Sequence, residues 1–148
     1  MLPLGDFITG NRRTLRGPDE LVTAILVPYA LAQSRSTFLK LGARRYLVIS
    51  IAMISVNLLT QADGAIAAAR IAVGSCSAVA KRLPALEAAL IGRKAVVGIG
   101  AVAAASHLES LAPIDDLRAS AGYRRDAALT LVRRALEACA AGDGGGMA

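Results

Sequence analysis

The segment "VISIAMISVNLLTQADGAIAAARIAVG", residues 48–74, decides the fold of this 148-residue chain. Two long apolar stretches, Val48–Thr60 and Ala65–Gly74, flank a short polar connection that contains Asp63-Gly64. An Asp-Gly pair between apolar stretches is a strong hairpin signal, because glycine readily adopts the positive φ angle that tight turns need. The sequence therefore predicts two antiparallel strands joined by a hairpin.

The chain before this hairpin predicts three further strands. Ser36–Ala43 completes a three-stranded antiparallel sheet with the hairpin. Within Asp6–Thr14 a short strand is followed by a turn at Gly10-Asn11. A further strand is predicted at Leu21–Pro28, which follows a turn at "RGPDE", because this stretch is rich in β-branched residues and closes on a proline.

The chain after Ser77 changes to a helical period. Residues 80–92 space their leucines three and four apart, with a proline near the start and a glycine at the end, which predicts a helix. We predict a second helix over residues 94–110 and a third over Ala121–Ala141, where apolar residues repeat on one side. Strands followed by helices predict an α+β domain, with about three helices on one face of the sheet.

Composition excludes several classes of protein. No apolar run reaches the ~20 residues that span a bilayer, and the N-terminus lacks the pattern of a secretion signal, so we expect a cytoplasmic protein without a membrane partner. The net charge is +6, but the basic residues are scattered and no aromatic residues are interleaved with them. We therefore predict no nucleic-acid partner; an acidic protein surface and a phosphate-bearing cofactor explain the charge equally well.

Few residues are good candidates for catalysis. Cys76 and Cys139 are far apart in the sequence and belong to no metal motif, so we interpret them as structural or inert thiols. His107 is the single histidine, and no nucleophile stands beside it in a recognisable arrangement. Asp115 and Asp116 point in different directions as sequence neighbours, which favours a turn or a helix cap over shared acid–base work.

Two other motifs could be either structural or functional. The "GIG" motif at Gly98–Gly100 lacks the third glycine of a dinucleotide fingerprint and is interpreted as a packing feature. The last helix carries a stripe of basic residues that indicates either a solvated face or a docking surface for an acidic partner: Arg124, Arg125, Arg133 and Arg134.

The stretch "FLKLGARRY", residues 38–46, gathers three cations at the end of a predicted strand. These are Lys40, Arg44 and Arg45. A lysine at a sheet edge is usually solvated, so spacing alone does not assign a function to Lys40.

The order of motifs along the chain resembles the flavin subunit of the molybdenum hydroxylases, the group that contains xanthine dehydrogenase and aerobic carbon monoxide dehydrogenase. The matching pieces are "DFITGNRRT", "PDELVTAILVP", "FLKLGARR", "ISIAMISVNL", "ARIAVGSCS", "RLPALEAALIG" and "LAPIDDLRASAGYRRDAALTLVRRALEA". They occur in the family's order and cover most of the chain up to about Ala141.

The resemblance implies a domain organisation. Residues 1–30 correspond to the C-terminal tail of the FAD-binding lobe, 31–141 to the flavoprotein C-terminal domain, and 142–148 to a disordered tail. In such a subunit, electrons pass from a molybdopterin centre through iron–sulfur clusters to FAD and then to an acceptor. The resemblance thus implies part of an FAD-dependent oxidoreductase.

The resemblance also implies two cofactor-binding residues. Lys40 falls on the lysine of the family's "F-K" strand, where a cation near the flavin would favour the negative charge of reduced flavin. Val22 matches a position that packs near the flavin ring. Arg44 and Arg45 match a basic pair, to which we assign a supporting electrostatic role or a subunit contact.

The glycine-rich segments that hold the FAD pyrophosphate in this family are not among these 148 residues. We therefore expect weak or no FAD binding and no enzymatic activity from this chain alone. The implied partners are the iron–sulfur small subunit and the molybdopterin large subunit, with a separate chain as one source of the remaining FAD lobes. The alternative is a non-enzymatic docking or scaffold domain derived from the same subunit.

Overall fold

The computed structural model describes residues 1–29 and 32–142 and has the α+β architecture that the sequence predicts. Two short strands follow one helical turn at the N-terminus: α1 Leu4–Phe7, β1 Ile8–Gly10 and β2 Arg13–Thr14. A four-stranded antiparallel sheet comes next: β3 Arg35–Leu41, β4 Ala52–Thr60, β5 Ile66–Gly74 and β6 Lys81–Arg82. The helical part contains α2 Pro84–Leu90, two 3₁₀ turns at Ile99–Val102 and Ala105–Leu108, and α3 Ala121–Ala141.

The hairpin between β4 and β5 is confirmed. Gly64 has a φ of +81°, in the left-handed region that glycine adopts at little cost. The Asp63 carboxylate accepts the Ala65 N–H at 2.9 Å and pairs with the Lys94 ammonium at 2.8 Å. A side chain from beyond the sheet therefore secures the turn.

The sheet has four strands in the order β3-β4-β5-β6, one more than the sequence predicts. The additional strand has only two residues, Lys81 and Arg82, which is too short for a period-two pattern to be visible. Glu87 on α2 secures this edge, because its carboxylate accepts the Ile71 N–H at 2.9 Å and forms a two-point ion pair with Arg82.

The core lies between the sheet and the helices α2 and α3. One face of β4 and β5 supplies branched aliphatic side chains that are almost fully buried. On this side of the sheet α3 packs against β3 and β4, and α2 packs against β5. Burying each Val, Ile or Leu side chain contributes roughly 1.5–3 kcal/mol. The buried side chains include Ile54, Val56, Leu58, Ile71 and Val73 of the sheet and Val132 and Leu136 of α3.

The predicted helix over residues 94–110 is wrong, because the structure has two 3₁₀ turns there. Gly98 has a φ of +95°, which interrupts a right-handed helix. Glu137 of α3 accepts the N–H groups of Gly98 at 2.9 Å and Gly100 at 2.7 Å. The interpretation of "GIG" as a packing feature is confirmed, since a Cβ on Gly100 would lie 2.6 Å from the Arg133 carbonyl oxygen.

The predicted strand at Leu21–Pro28 is also wrong. No other described strand pairs with this segment, and its apolar side chains are exposed, as Leu21 at 83% and Val27 at 84% show. Strand propensity expresses how well a residue fits a half-buried sheet, so it does not create a strand without a partner. The preceding strand and turn are present as the β1–β2 pair, which turns at Asn11 and Arg12.

Several boundaries differ from those predicted. β3 ends at Leu41 and β4 begins at Ala52, so the loop between them covers residues 42–51 and is longer than the predicted connection at 44–47. α3 has the predicted bounds, and Gly142 caps it with a φ of +83°. The rest of the predicted disordered tail, 143–148, lies outside the described residues. None of the helices among the described residues is both long and apolar enough to cross a membrane.

Candidate functional site

The sheet leaves one face uncovered by helices, and we call this the open face. Residues alternate along the strands, so neighbours of the buried core residues point to the other side. On the open face, the strand register aligns residues of β3, β4 and β5 in three rows across the sheet: Lys40–Met53–Gly74, Phe38–Ser55–Ala72 and Ser36–Asn57–Arg70. The middle row has one large exposed aromatic side chain, Phe38 at 61%, beside two small residues. The open face is therefore a shallow ledge.

Lys40 lies at the exposed edge of this ledge, on β3. Its ammonium group donates a hydrogen bond to the Val48 carbonyl oxygen at 2.8 Å. Next in the same row, the Met53 side chain lies over Gly74, where a Cβ would come within 2.5 Å of the Met53 methyl carbon. Glycine at this position therefore allows the thioether to lie flat across the sheet beside the lysine.

All three cations of the "FLKLGARRY" stretch contact residues of the loop at 42–51. Arg44 donates to the Leu47 carbonyl oxygen at 2.6 Å, and the Arg45 guanidinium lies 5.2 Å from the centre of the Tyr46 ring. Leu47 has a φ of +48°, which costs roughly 1–2 kcal/mol in a residue other than glycine. The two side-chain bonds from Lys40 and Arg44 stabilise the loop in this conformation.

Charge on the sheet has a single sign. The four strands contain no aspartate or glutamate, and their charged residues are Arg35, Lys40, Arg70, Lys81 and Arg82. Arg82 is neutralised by Glu87 from α2, whereas Lys40 and Arg70 lie on the open face and bond only to carbonyl oxygens. The open face is therefore electropositive and favours an anionic ligand or surface.

Val22, the second predicted site residue, lies away from regular structure. It is half exposed, in a segment without regular secondary structure that forms no ladder with β3. The hydrogen bond of the Lys40 ammonium goes to Val48 in the loop after β3, and not to Val22. Hydrogen bonding therefore does not join these two predicted residues into one site.

Apolar side chains are exposed throughout the N-terminal 29 residues, which we call the N-terminal arm. No residue of the arm is buried. The exposed large apolar residues are Met1, Leu2, Leu4, Ile8, Leu15, Leu21, Val22, Ile25, Leu26, Val27 and Tyr29. Large exposed apolar patches are typical of interaction sites. The arm is therefore a candidate interaction surface.

Arg124 does not belong to the basic stripe that the sequence predicts, because it is only 3% exposed. Its guanidinium donates to the Ile51 carbonyl oxygen at 2.7 Å and to Asp116 at 2.7 Å. The sequence contained a signal for this burial, since Arg124 precedes the buried Ala128 by four residues and so shares its helix face. Arg124 anchors α3 to the sheet instead of facing a partner.

Asp115 and Asp116 have the turn and capping roles that we predicted. Asp115 accepts the N–H of Ala121, the first residue of α3, at 2.6 Å. Asp116 closes a tight turn, accepting the Arg118 N–H at 2.8 Å. This backbone bond, together with the guanidinium groups of Arg124 and Arg118, holds the pKa of Asp116 well below its usual range.

The remaining chemically active side chains are used structurally. His107 Nδ1 accepts the Ala104 N–H at 3.0 Å. Cys76 and Cys139 are buried free thiols, and burial raises the pKa of each. Within residues 1–29 and 32–142, no three His, Cys, Asp or Glu side chains converge as a metal site would require.

The sequence reasoning missed three residues of the open face, which are Phe38, Met53 and Arg70. For Phe38 the sequence offered a signal, because the charged Lys40 stands between Leu39 and Leu41, and residues two apart on a strand share a face. The alanines of β5 obscured the same alternation around Arg70.

Similar folds occur in solved molybdenum enzymes. Carbon monoxide dehydrogenase from Hydrogenophaga pseudoflava, lacking the pyranopterin moiety of its cofactor, matches with a TM-score of 0.75 and 27% identity over 93% of this chain and 47% of that chain. Reconstituted CO dehydrogenase from Oligotropha carboxidovorans matches with a TM-score of 0.77 and 25% identity, over 92% and 47%. Quinoline 2-oxidoreductase from Pseudomonas putida 86, at 24% identity with a TM-score of 0.74 over 93% and 47%, shows the same fold.

The sequence itself defines the family. The profile of the CO dehydrogenase flavoprotein C-terminal domain matches residues 37–139, and the chain belongs to this family. The resemblance to the C-terminal part of the molybdenum hydroxylase FAD subunit is thereby confirmed. The chain spans about half the length of the solved chains that it matches. No curated protein matches it.

Proposed function

We propose that this chain forms one wall of the FAD cleft in the flavin subunit of a molybdenum hydroxylase. In the complete subunit, electrons would pass from molybdopterin and iron–sulfur centres to FAD and then to an acceptor. The observation that carries this proposal is the open face, an electropositive ledge without carboxylates in a domain of this family. A flat surface with fixed cations suits a planar ring that becomes negatively charged on reduction.

Lys40 is the residue that we place nearest the flavin. Its ammonium is fixed by the Val48 carbonyl oxygen, so its position at the edge of the ledge is defined before any ligand binds. Such preorganisation lets a charge stabilise reduced flavin without reorganisation of the protein. The neighbouring Met53 would offer the ring an apolar, polarizable contact.

The N-terminal arm supports the division of the chain at about residue 30. Residues 1–30 would belong to the FAD-binding lobe and 31–141 to the C-terminal domain. The exposed apolar side chains of the arm, Val22 among them, would be buried against the rest of that lobe. Val22 would thereby lie near the flavin ring.

This chain alone is expected to bind FAD weakly or not at all. A flavin dinucleotide needs converging backbone N–H groups around its pyrophosphate, and in this family those groups lie outside these residues. Titration of the purified chain with FAD should give no saturable quenching of flavin fluorescence at micromolar concentrations. Saturable quenching in that range, with one flavin per chain, would contradict the proposal.

The Lys40→Met substitution tests the role of the cation in the assembled subunit, after addition of the polypeptide that carries the other FAD lobes. We expect the two-electron flavin potential to fall by about 30 mV, equivalent to ~1.4 kcal/mol, because reduced flavin loses a nearby cation. Lys81→Met is the matched control, since Lys81 is exposed on β6. An equal fall in both variants, or none in Lys40→Met, would argue against this role.

A docking or scaffold domain of the same origin remains the second candidate function. Of the predicted basic stripe, Arg125, Arg133 and Arg134 are exposed, although Arg125 and Arg133 each donate to a carbonyl oxygen. Pull-down with a cognate iron–sulfur subunit distinguishes the two functions. Capture with restored flavin reduction supports the oxidoreductase subunit, whereas capture without it supports the scaffold.

A further inference from the structure

The outer edge of β3 is unpaired. β3 stands at one end of the four-stranded sheet, and no other strand among the described residues forms a ladder with that edge. The strand has seven residues, and Phe38 at its centre is 61% exposed. A long exposed edge of this kind presents free backbone N–H and C=O groups that another strand can bind.

The cations of β3 do not protect this edge. Lysine and arginine usually prevent strand pairing by extending over an edge. Here Arg35 donates to the Ala140 carbonyl oxygen at the C-terminal end of α3, at 3.1 Å. Lys40 donates to Val48 in the following loop. Both side chains are therefore bound to their own chain.

The sequence of β3 suits pairing with a second copy of itself. An antiparallel pair that is symmetric about Phe38 is the one symmetric register that uses all seven residues of both strands. Its cross-strand neighbours are Phe38 with Phe38, Thr37 with Leu39, Ser36 with Lys40 and Arg35 with Leu41. An aromatic pair at the centre is favourable, and no two like charges stand opposite one another.

We propose that two copies of this chain associate through β3 into one eight-stranded antiparallel sheet. The two-fold axis would pass through the Phe38 pair, perpendicular to the sheet, and both open faces would lie on the same side. The net charge of +6 on each copy opposes association, so the dimer should be weak and strengthened by salt. This inference does not depend on the flavin function.

Ser36 provides the sharpest test, because it is exposed and faces Lys40 of the other copy in this register. Ser36→Lys would place two like-charge pairs across the interface, and Ser36→Glu two opposite-charge pairs. Sedimentation equilibrium should show a concentration-dependent dimer whose Kd rises roughly fivefold in Ser36→Lys and falls roughly fivefold in Ser36→Glu. Phe38→Ala should also weaken the dimer.

Ser110 supplies the control for net charge, since it is exposed outside the sheet. Ser110→Lys and Ser110→Glu change the total charge equally and should leave the Kd within about twofold of the original. Thermal unfolding of each variant establishes that it is folded. A monomer at every concentration would overturn the proposal, and so would a Kd that moves in the same direction for both Ser36 variants.

Discussion

Replacing Gly100 with alanine is expected to lower the free energy of unfolding by about 3 kcal/mol. The added Cβ would lie 2.6 Å from the Arg133 carbonyl oxygen and 2.9 Å from Glu137 Oε1. The first contact is with helix backbone, which cannot rotate away as a flexible side chain can. Either the 3₁₀ turn or α3 must shift, and a shift would also weaken the bonds from Gly98 and Gly100 to Glu137.

Gly122 is the matched control for this substitution. It lies in the first turn of α3, and a Cβ added there would meet nothing within 4 Å. Gly122→Ala should be neutral or stabilise the protein by about 0.5 kcal/mol, because alanine favours the helix. Thermal unfolding should show a decrease of roughly 6–12 °C for Gly100→Ala alone. An unchanged midpoint for Gly100→Ala would mean that α3 does not approach this turn so closely.

The parts of the fold that depend on local signals could be predicted from the sequence. The bounds of α3 follow from its own ends, where Ser120 accepts the Tyr123 N–H at 3.2 Å and Gly142 adopts the left-handed conformation. The β4–β5 hairpin follows in the same way from Asp63-Gly64. Neither element needs a distant residue to define where it begins or ends.

The parts that depend on distant residues could not be predicted. The 3₁₀ turns around Gly100 form against Glu137, which is 37 residues away in sequence. The two-residue strand β6 depends on its pairing with β5 and on the carboxylate of Glu87. The strand predicted at Leu21–Pro28 is wrong for the converse reason. The segment has strand propensity, but no partner strand among the described residues pairs with it.

The candidate site also has features that could be predicted from the sequence and features that could not. Lys40 could be found from the resemblance, and its strand from the apolar pattern. Its bond to Val48 could not be predicted, because the apolar pattern places Val48 in the following strand, whereas it lies in the loop between β3 and β4. The electropositive character of the open face needed the strand register, which places Arg70 and Lys40 on one side of the sheet.

Arg124 is the residue whose replacement should affect stability most. Its guanidinium is buried and donates to the carbonyl oxygens of Ile51 at 2.7 Å and Ser75 at 3.3 Å, and to Asp116 at 2.7 Å. Arg124→Met has a similar length but no donors, so it leaves these acceptors without that partner. Removing one member of a buried ionic network costs about 3–5 kcal/mol.

Arg125→Met is the control, because Arg125 is the next residue of the same helix but is exposed. Its loss should lower the free energy of unfolding by less than ~1 kcal/mol, as measured by urea denaturation. Equal effects of the two substitutions would show that burial of Arg124 does not determine its contribution.

Acid titration then tests whether Arg124 acts through Asp116. The folded-state pKa of Asp116 is depressed by the Arg118 N–H first, and also by the guanidinium groups of Arg124 and Arg118. A depressed carboxyl pKa stabilises the fold above the unfolded value of about 3.9, and this stabilisation is lost as the pH falls through the folded value. Arg124→Met removes one cause of the depression, so its stability should decline less between neutral and acid pH than that of the unaltered protein. A decline as steep as that of the unaltered protein would mean that Arg124 stabilises α3 only through the carbonyl oxygens of Ile51 and Ser75.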